Sequence, residues 1–145
     1  MKLADVIAKV NNLRPSEYDK EQMTEWINEI EFQVVSQVIN MAKGPGVKFE
    51  PLEYNNDADR ELLIPDAFAS VYTSYLIGKI DYMNGESDRY AMDLTDYEAK
   101  WQDFAAWYRR THIPKTFRDK RPHDPYKEYK EAIKRNALNL IGKEY

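Results

Sequence analysis

The spacing of large apolar side chains between Tyr90 and Tyr108 constrains this chain more than any other feature. Tyr90, Leu94, Tyr97, Trp101, Phe104 and Tyr108 follow one another at intervals of 4, 3, 4, 3 and 4 residues, the repeat of one face of an α-helix. Arg89, Asp93, Asp96, Glu98, Lys100, Gln102, Asp103 and Arg109 lie between them, so the opposite face is solvated. Ser87 or Asp88 is placed to cap the start, and Arg109 and Arg110 suit the carbonyl end. Upstream, Pro65-Asp66 reads as the start of another helix. Its residues Phe68, Val71, Tyr72, Tyr75, Leu76, Ile77, Ile80, Tyr82 and Met83 leave only Lys79 and Asp81 charged. A helix apolar on more than one side packs against more than one partner. Ser70, Thr73, Ser74, Lys79 and Asp81 interrupt it too often for a membrane span. Asn84-Gly85 supplies a left-handed stop that turns the chain. The sequence therefore predicts a mainly α fold: a helical bundle around a long antiparallel helix hairpin, set between Leu62 and Pro114.

The remaining segments supply shorter elements. Leu3, Val6, Ile7 and Val10 predict an amphipathic helix over residues 2–12, ended by Leu13-Arg14-Pro15. A second helix begins near Asp19, with Gln22 completing a possible capping box. Met23, Trp26, Ile27, Ile30, Val34, Val38 and Met41 form its stripe, and Lys43-Gly44-Pro45-Gly46 stops it. From 47 to 64 the period changes. Val47, Phe49, Leu52 and Tyr54 alternate weakly around Pro51, and Asn55-Asn56-Asp57 is turn chemistry. The expectation is a small β excursion, or an irregular loop ending in an extended piece. After Pro114 a basic linker, with Lys115, Arg118, Lys120 and Arg121, leads through Asp124-Pro125 to a C-terminal helical arm striped by Tyr126, Tyr129, Ile133, Ala137 and Ile141. The expected division is a helical core over 1–114, with the linker and arm over 115–145.

Composition narrows the function. A chain of 145 residues, 43% of them hydrophobic, suits one compact domain. Its net charge of −4 argues against a general nucleic-acid binder. With no cysteine there is no disulfide framework and no thiolate metal site, which suits a reducing compartment. The N-terminal stretch lacks the sustained apolar run of a signal peptide. The two histidines, His112 and His123, are separated by prolines and lack helical metal-ligand spacing. Asp81, Glu86, Asp88, Asp93 and Asp96 read as a solvated helix face rather than an acid/base pair, although adjacent turns could join Asp93 to Asp96. No phosphate loop or nucleophile elbow is present. The reading is a protein without an active site, cofactor or bound metal. Its eleven tyrosines and three tryptophans suit a core and a recognition surface. The candidate partner-binding residues are Trp107, which falls off the stripe, Arg109, Arg110, Lys115, Arg118, Lys120, Arg121, Tyr126, Tyr129 and Ile133.

The chain also resembles the bacteriophage head–tail connector (adaptor, or head-completion) proteins over about residues 3–116. The likeness lies in Val6-Ile7 leading to Leu13-Arg14-Pro15, in Tyr18, Trp26-Ile27 and Leu62-Leu63-Ile64-Pro65, and in Tyr72-x-x-Tyr75-Leu76. It continues in Lys79-Ile80-Asp81-Tyr82-Met83-Asn84-Gly85-Glu86 with Arg89-Tyr90, and in Trp107-Tyr108-Arg109-Arg110-Thr111-His112-Ile113-Pro114. The Asp81-to-Tyr90 string and the Tyr108-to-Pro114 ending are its most specific parts. The resemblance implies a structural virion protein at the head–tail junction. It implies a homo-oligomeric, dodecameric ring bound to the portal protein, docking the tail or a second connector. DNA would pass through the ring without sequence-specific binding, and no membrane is involved. Two other readings stand beside it: a monomeric helical protein-interaction adaptor, and a small metal-dependent hydrolase or nuclease accessory using the Asp-rich turn.

Overall fold

The computed structural model describes residues 1–115 and 129–137. By internal contacts the chain divides into a unit Met1–Pro114 and a unit Lys115–Tyr145. The first is built from α1 (Leu3–Leu13), α2 (Lys20–Gln33), a single turn α3 (Tyr54–Asp57), α4 (Ser70–Met83) and α5 (Ser87–Thr111). Among its described residues there are isolated bridges but no strands. In the second unit, residues 129–137 are helical. No helix of the described residues is long and apolar enough to cross a membrane.

The core lies on α4 rather than between the two arms of the hairpin. Val71, Tyr72, Leu76 and Ile80 have no exposed surface, and α4 packs against α1, α2 and α5. This is the multi-sided burial that its all-round apolar pattern predicts. Leu3, Val6, Ile7 and Val10 of α1 and Met23, Trp26, Ile27 and Ile30 of α2 complete it. The first free N–H groups of α1 are satisfied from a distance: Leu3 and Ala4 donate to the carbonyls of Arg60 (3.1 Å) and Ala58 (2.9 Å). Asp19 caps α2 by accepting from the Gln22 N–H at 2.8 Å. The box is not reciprocal, because the Gln22 side chain turns to Glu25.

Two sequence expectations are corrected here. Beyond Gln33, α2 runs into a π-helical turn (Val34–Val38) and a short 3-10 turn (Ile39–Met41). The wider π turn re-phases the stripe, so Val35 and Ala42 are buried while Met41 is 41% exposed. In residues 47–64 no β excursion forms. Its extended backbone hydrogen-bonds to side-chain amides of α2 and its extension instead of to a neighbouring strand. Asn40 both accepts from and donates to the main chain of Val47 (2.8 and 3.1 Å), and Asn28 does the same for Leu52 (2.8 and 3.0 Å). Asn55-Asn56-Asp57 winds into α3, and only an isolated bridge, Lys2 to Glu61, remains.

The hairpin turn is as read from sequence. Gly85 has φ +75°, the left-handed conformation that glycine adopts without strain. Neither Ser87 nor Asp88 caps α5; Glu86 takes the cap position without a side-chain bond.

Candidate partner-binding surfaces

Helix α5 is buried very unevenly. Of its 25 residues only Phe104 and Ala105 are fully buried, both near the C-terminal end. There Phe104 and Trp107 pack on Phe68 (ring centroids 5.9 and 5.2 Å) and Trp101 on Phe104 (5.9 Å). Toward the hairpin turn the stripe loses its cover: Leu94 is 40% exposed, with Met92, Met83 and Tyr82 more exposed still. The regular spacing of α5 therefore correctly predicted a helix while overstating how much of it this unit buries.

Between the two helices near the turn, polar groups replace apolar ones. Ser74 donates to Asp96 (2.9 Å), and Lys100 reaches both Ser74 (2.9 Å) and Asp96 (2.8 Å). The Lys100 hydrogen bond holds the Asp96 carboxyl below its ordinary range. Closer to the turn, Asp81 is almost wholly buried and accepts from Arg14 Nη1 at 2.7 Å, tying the end of α1 to α4. Asp93 faces Asp81 from α5. The Oδ2 atoms of both carboxyls are buried without another partner. One proton held between them satisfies both. Burial first, and then the neighbouring Asp81 carboxyl, push the Asp93 carboxyl up to about 6. Asp93 thus pairs with Asp81, while Asp96 faces Ser74 and Lys100.

An open cleft of about 330 Å³ lies beside this pair, lined by Tyr75, Gly78, Lys79, Tyr90, Asp93 and Tyr97 among others. The Tyr75 hydroxyl donates to Glu29 and that of Tyr97 to Gln33 (3.1 Å). Lys79 is held by Glu29 at 3.4 Å, over the Tyr75 ring. Sequence reasoning missed this cleft. Its one available signal was Gly78, a glycine in the middle of a helix whose flanking turns carry tyrosines.

The predicted surface residues are placed as follows. Trp107 is half-buried against its own core, while Arg109 and Arg110 are exposed in the last turn of α5. His112 stacks on Tyr108 at 3.7 Å between centroids. Lys115 is half-buried. Arg118, Lys120, Arg121 and Tyr126, like His123, lie outside the described residues. Tyr129 and Ile133, one helical turn apart, are 64% and 51% exposed. The structure brings Trp107, Arg109 and Arg110 together at one helix end and Tyr129 and Ile133 onto one helical face. Among the described residues no three His, Asp or Glu side chains cluster as a metal site requires. Comparison with protein-family models, with curated proteins and with solved structures found no match to this chain.

Proposed function

We propose that this chain is a non-enzymatic structural subunit of a phage head–tail junction. In this reading it assembles as a dodecameric ring on the portal protein, extends the DNA channel and docks the tail or a second connector. The resemblance named above is one support. The observation that carries the reading is the thinly buried outer half of α5, where Met92, Leu94 and the adjoining Tyr82 and Met83 stay exposed in the single chain. Large exposed apolar side chains at the turn end of the hairpin suit a contact between neighbouring subunits. The Asp81-to-Tyr90 string that carries the resemblance is the turn of this hairpin. A net charge of −4 suits a channel along which DNA slides rather than sticks. Tyr129 and Ile133 extend the proposal to the C-terminal arm, which docks on the portal or an adjacent subunit by helix-in-groove recognition.

Mixing the purified chain with portal protein and imaging the product by electron microscopy tests the reading. A ring on the portal, and loss of that ring when residues 116–145 are deleted from a chain that still folds, is the expected result. Absence of the protein from purified particles, or a monomer by light scattering with and without portal, sinks it; the second outcome favours the monomeric adaptor.

A further inference from the structure

The cleft between α4 and α5 joins two features that together select a ligand. Its walls are tyrosine rings, with Tyr75 and Tyr97 at 4.9 Å and Tyr82 and Tyr90 at 5.1 Å between centroids. Its lining includes Asp93, which lies against Gly78, a residue that contributes no side chain. Asp93 belongs to a group whose charges do not balance, since Asp81 and Asp93 are two carboxyls facing one guanidinium, Arg14. The cluster is completed by one proton or by a second cation. Lys79 does not supply that cation, because Glu29 holds its ammonium at 3.4 Å over the Tyr75 ring. That contact also shows a tyrosine face of this cleft accepting positive charge.

We propose that this cleft binds an arginine side chain of a partner polypeptide, its guanidinium against the tyrosine faces and paired with Asp93. A planar, weakly hydrated guanidinium lies on a tyrosine face beside a carboxylate better than a compact ammonium does. The volume of about 330 Å³ is at the lower end of ligand clefts and accommodates one side chain. The cation and the proton compete for Asp93. The charged groups facing it are Asp81 and Lys79 from α4, Arg14 from α1, and Asp96 on its own helix.

The test is an NMR titration of the full chain with N-acetyl-arginine methylamide, using the uncharged N-acetyl-norleucine methylamide as control. At pH 7.5 the arginine probe should shift the amides of Gly78 and Leu94 saturably, and the control should not. At pH 5 the affinity should fall about tenfold, because only the ionised fraction of Asp93, with its carboxyl at about 6, binds. Asp93→Asn, whose carboxamide can donate to Asp81 in place of the shared proton, should fold and lose binding. Tyr90→Ala, at a half-exposed position, should weaken binding without touching the carboxyl pair. Equal binding of the control, unchanged binding by Asp93→Asn, or affinity rising toward pH 5 overturns the proposal. Binding of spermidine without binding of the arginine probe assigns the cleft to a small polyamine and overturns the partner side chain.

Discussion

Replacing Tyr72 by Phe removes one oxygen atom from the interior and leaves the ring in place. That oxygen accepts from the Ile64 N–H at 2.9 Å and donates to the Glu31 carboxyl. Tyr72 has no exposed surface and Glu31 is 5% exposed, so water cannot replace either bond without opening the core. A hydrogen bond to a charged group contributes about 1.5–3 kcal/mol, and a buried N–H left without a partner costs about 1–3 kcal/mol. Glu31 keeps its second donor, the Leu63 N–H at 3.1 Å. Burial already pushes its carboxyl above the ordinary range, so taking up a proton recovers part of the loss. The expected cost is about 3 kcal/mol, a large share of the roughly 5–15 kcal/mol that holds a domain folded. Urea unfolding followed by tryptophan fluorescence should show a midpoint lowered by about 1 M or more with the slope unchanged. The double variant Glu31→Leu/Tyr72→Phe should lose less than the sum of the single variants, by about 1–3 kcal/mol, because the two groups satisfy each other. A loss below about 1 kcal/mol for Tyr72→Phe, or strict additivity in the cycle, would refute a satisfied buried network.

Four further outcomes follow from the same contacts. Arg14→Ala leaves the Asp81 carboxylate buried without its cation and should cost about 3–5 kcal/mol by thermal or urea unfolding. Asp93→Asn should stabilise the fold at pH 7 by on the order of 1 kcal/mol, a figure discounted for solvent screening at a partly exposed group. It should also flatten the pH dependence: the folded chain holds a proton on Asp93 up to about 6 that the unfolded chain releases near the ordinary aspartate value, so the wild type loses stability as pH rises through that window. Phe104→Ala, at a site 1% exposed, should cost about 3–5 kcal/mol, and Trp101→Ala, half-buried, clearly less on the same unfolding assay. Gly85→Val should lower stability by about 1–2 kcal/mol through φ strain alone, since a Cβ there meets nothing within 4 Å; a neutral result in calorimetry would show that the turn does not need φ +75°.

Local signals carried most of the fold. Helices declared themselves by apolar repeats, α1 stopped where Pro15 required it, and Gly85 turned the chain. What stayed hidden depended on partners distant in sequence. Asn28 and Asn40 look like ordinary polar positions of a helix, yet they hold the backbone of Leu52 and Val47 and so replace the strand that the alternation suggested. The stripe of α5 fixes which side chains share a face, not how far a neighbouring helix covers them, and the cover thins toward the turn, leaving Leu94 40% exposed and Tyr90 half-buried. The pairing of Asp81 with Asp93 required knowing how α4 and α5 align across the turn. Asp93 and Asp96, three residues apart on one helix, were the nearer guess from sequence.

That alignment is where the polar residues matter most. At the Phe104 end, ring packing against Phe68 sets how α5 lies on the core. Near the turn there is little apolar burial on α5 to hold one register against another. Buried ionic groups take over the selection there. Asp81 is fixed by Arg14, whose position follows from the end of α1 before Pro15. Sliding α5 along α4 would take Asp93 from Asp81 and leave Asp96 without Ser74. Leaving a buried carboxyl oxygen without a partner costs about 1–3 kcal/mol, more when the group is charged, whereas below about pH 6 the aligned pair satisfies both with one proton. The seam thus trades net stability for a single alignment, a use of buried charge that apolar packing of equal volume would not supply. Such a seam keeps the exposed tyrosine and methionine side chains at the hairpin end in one fixed arrangement.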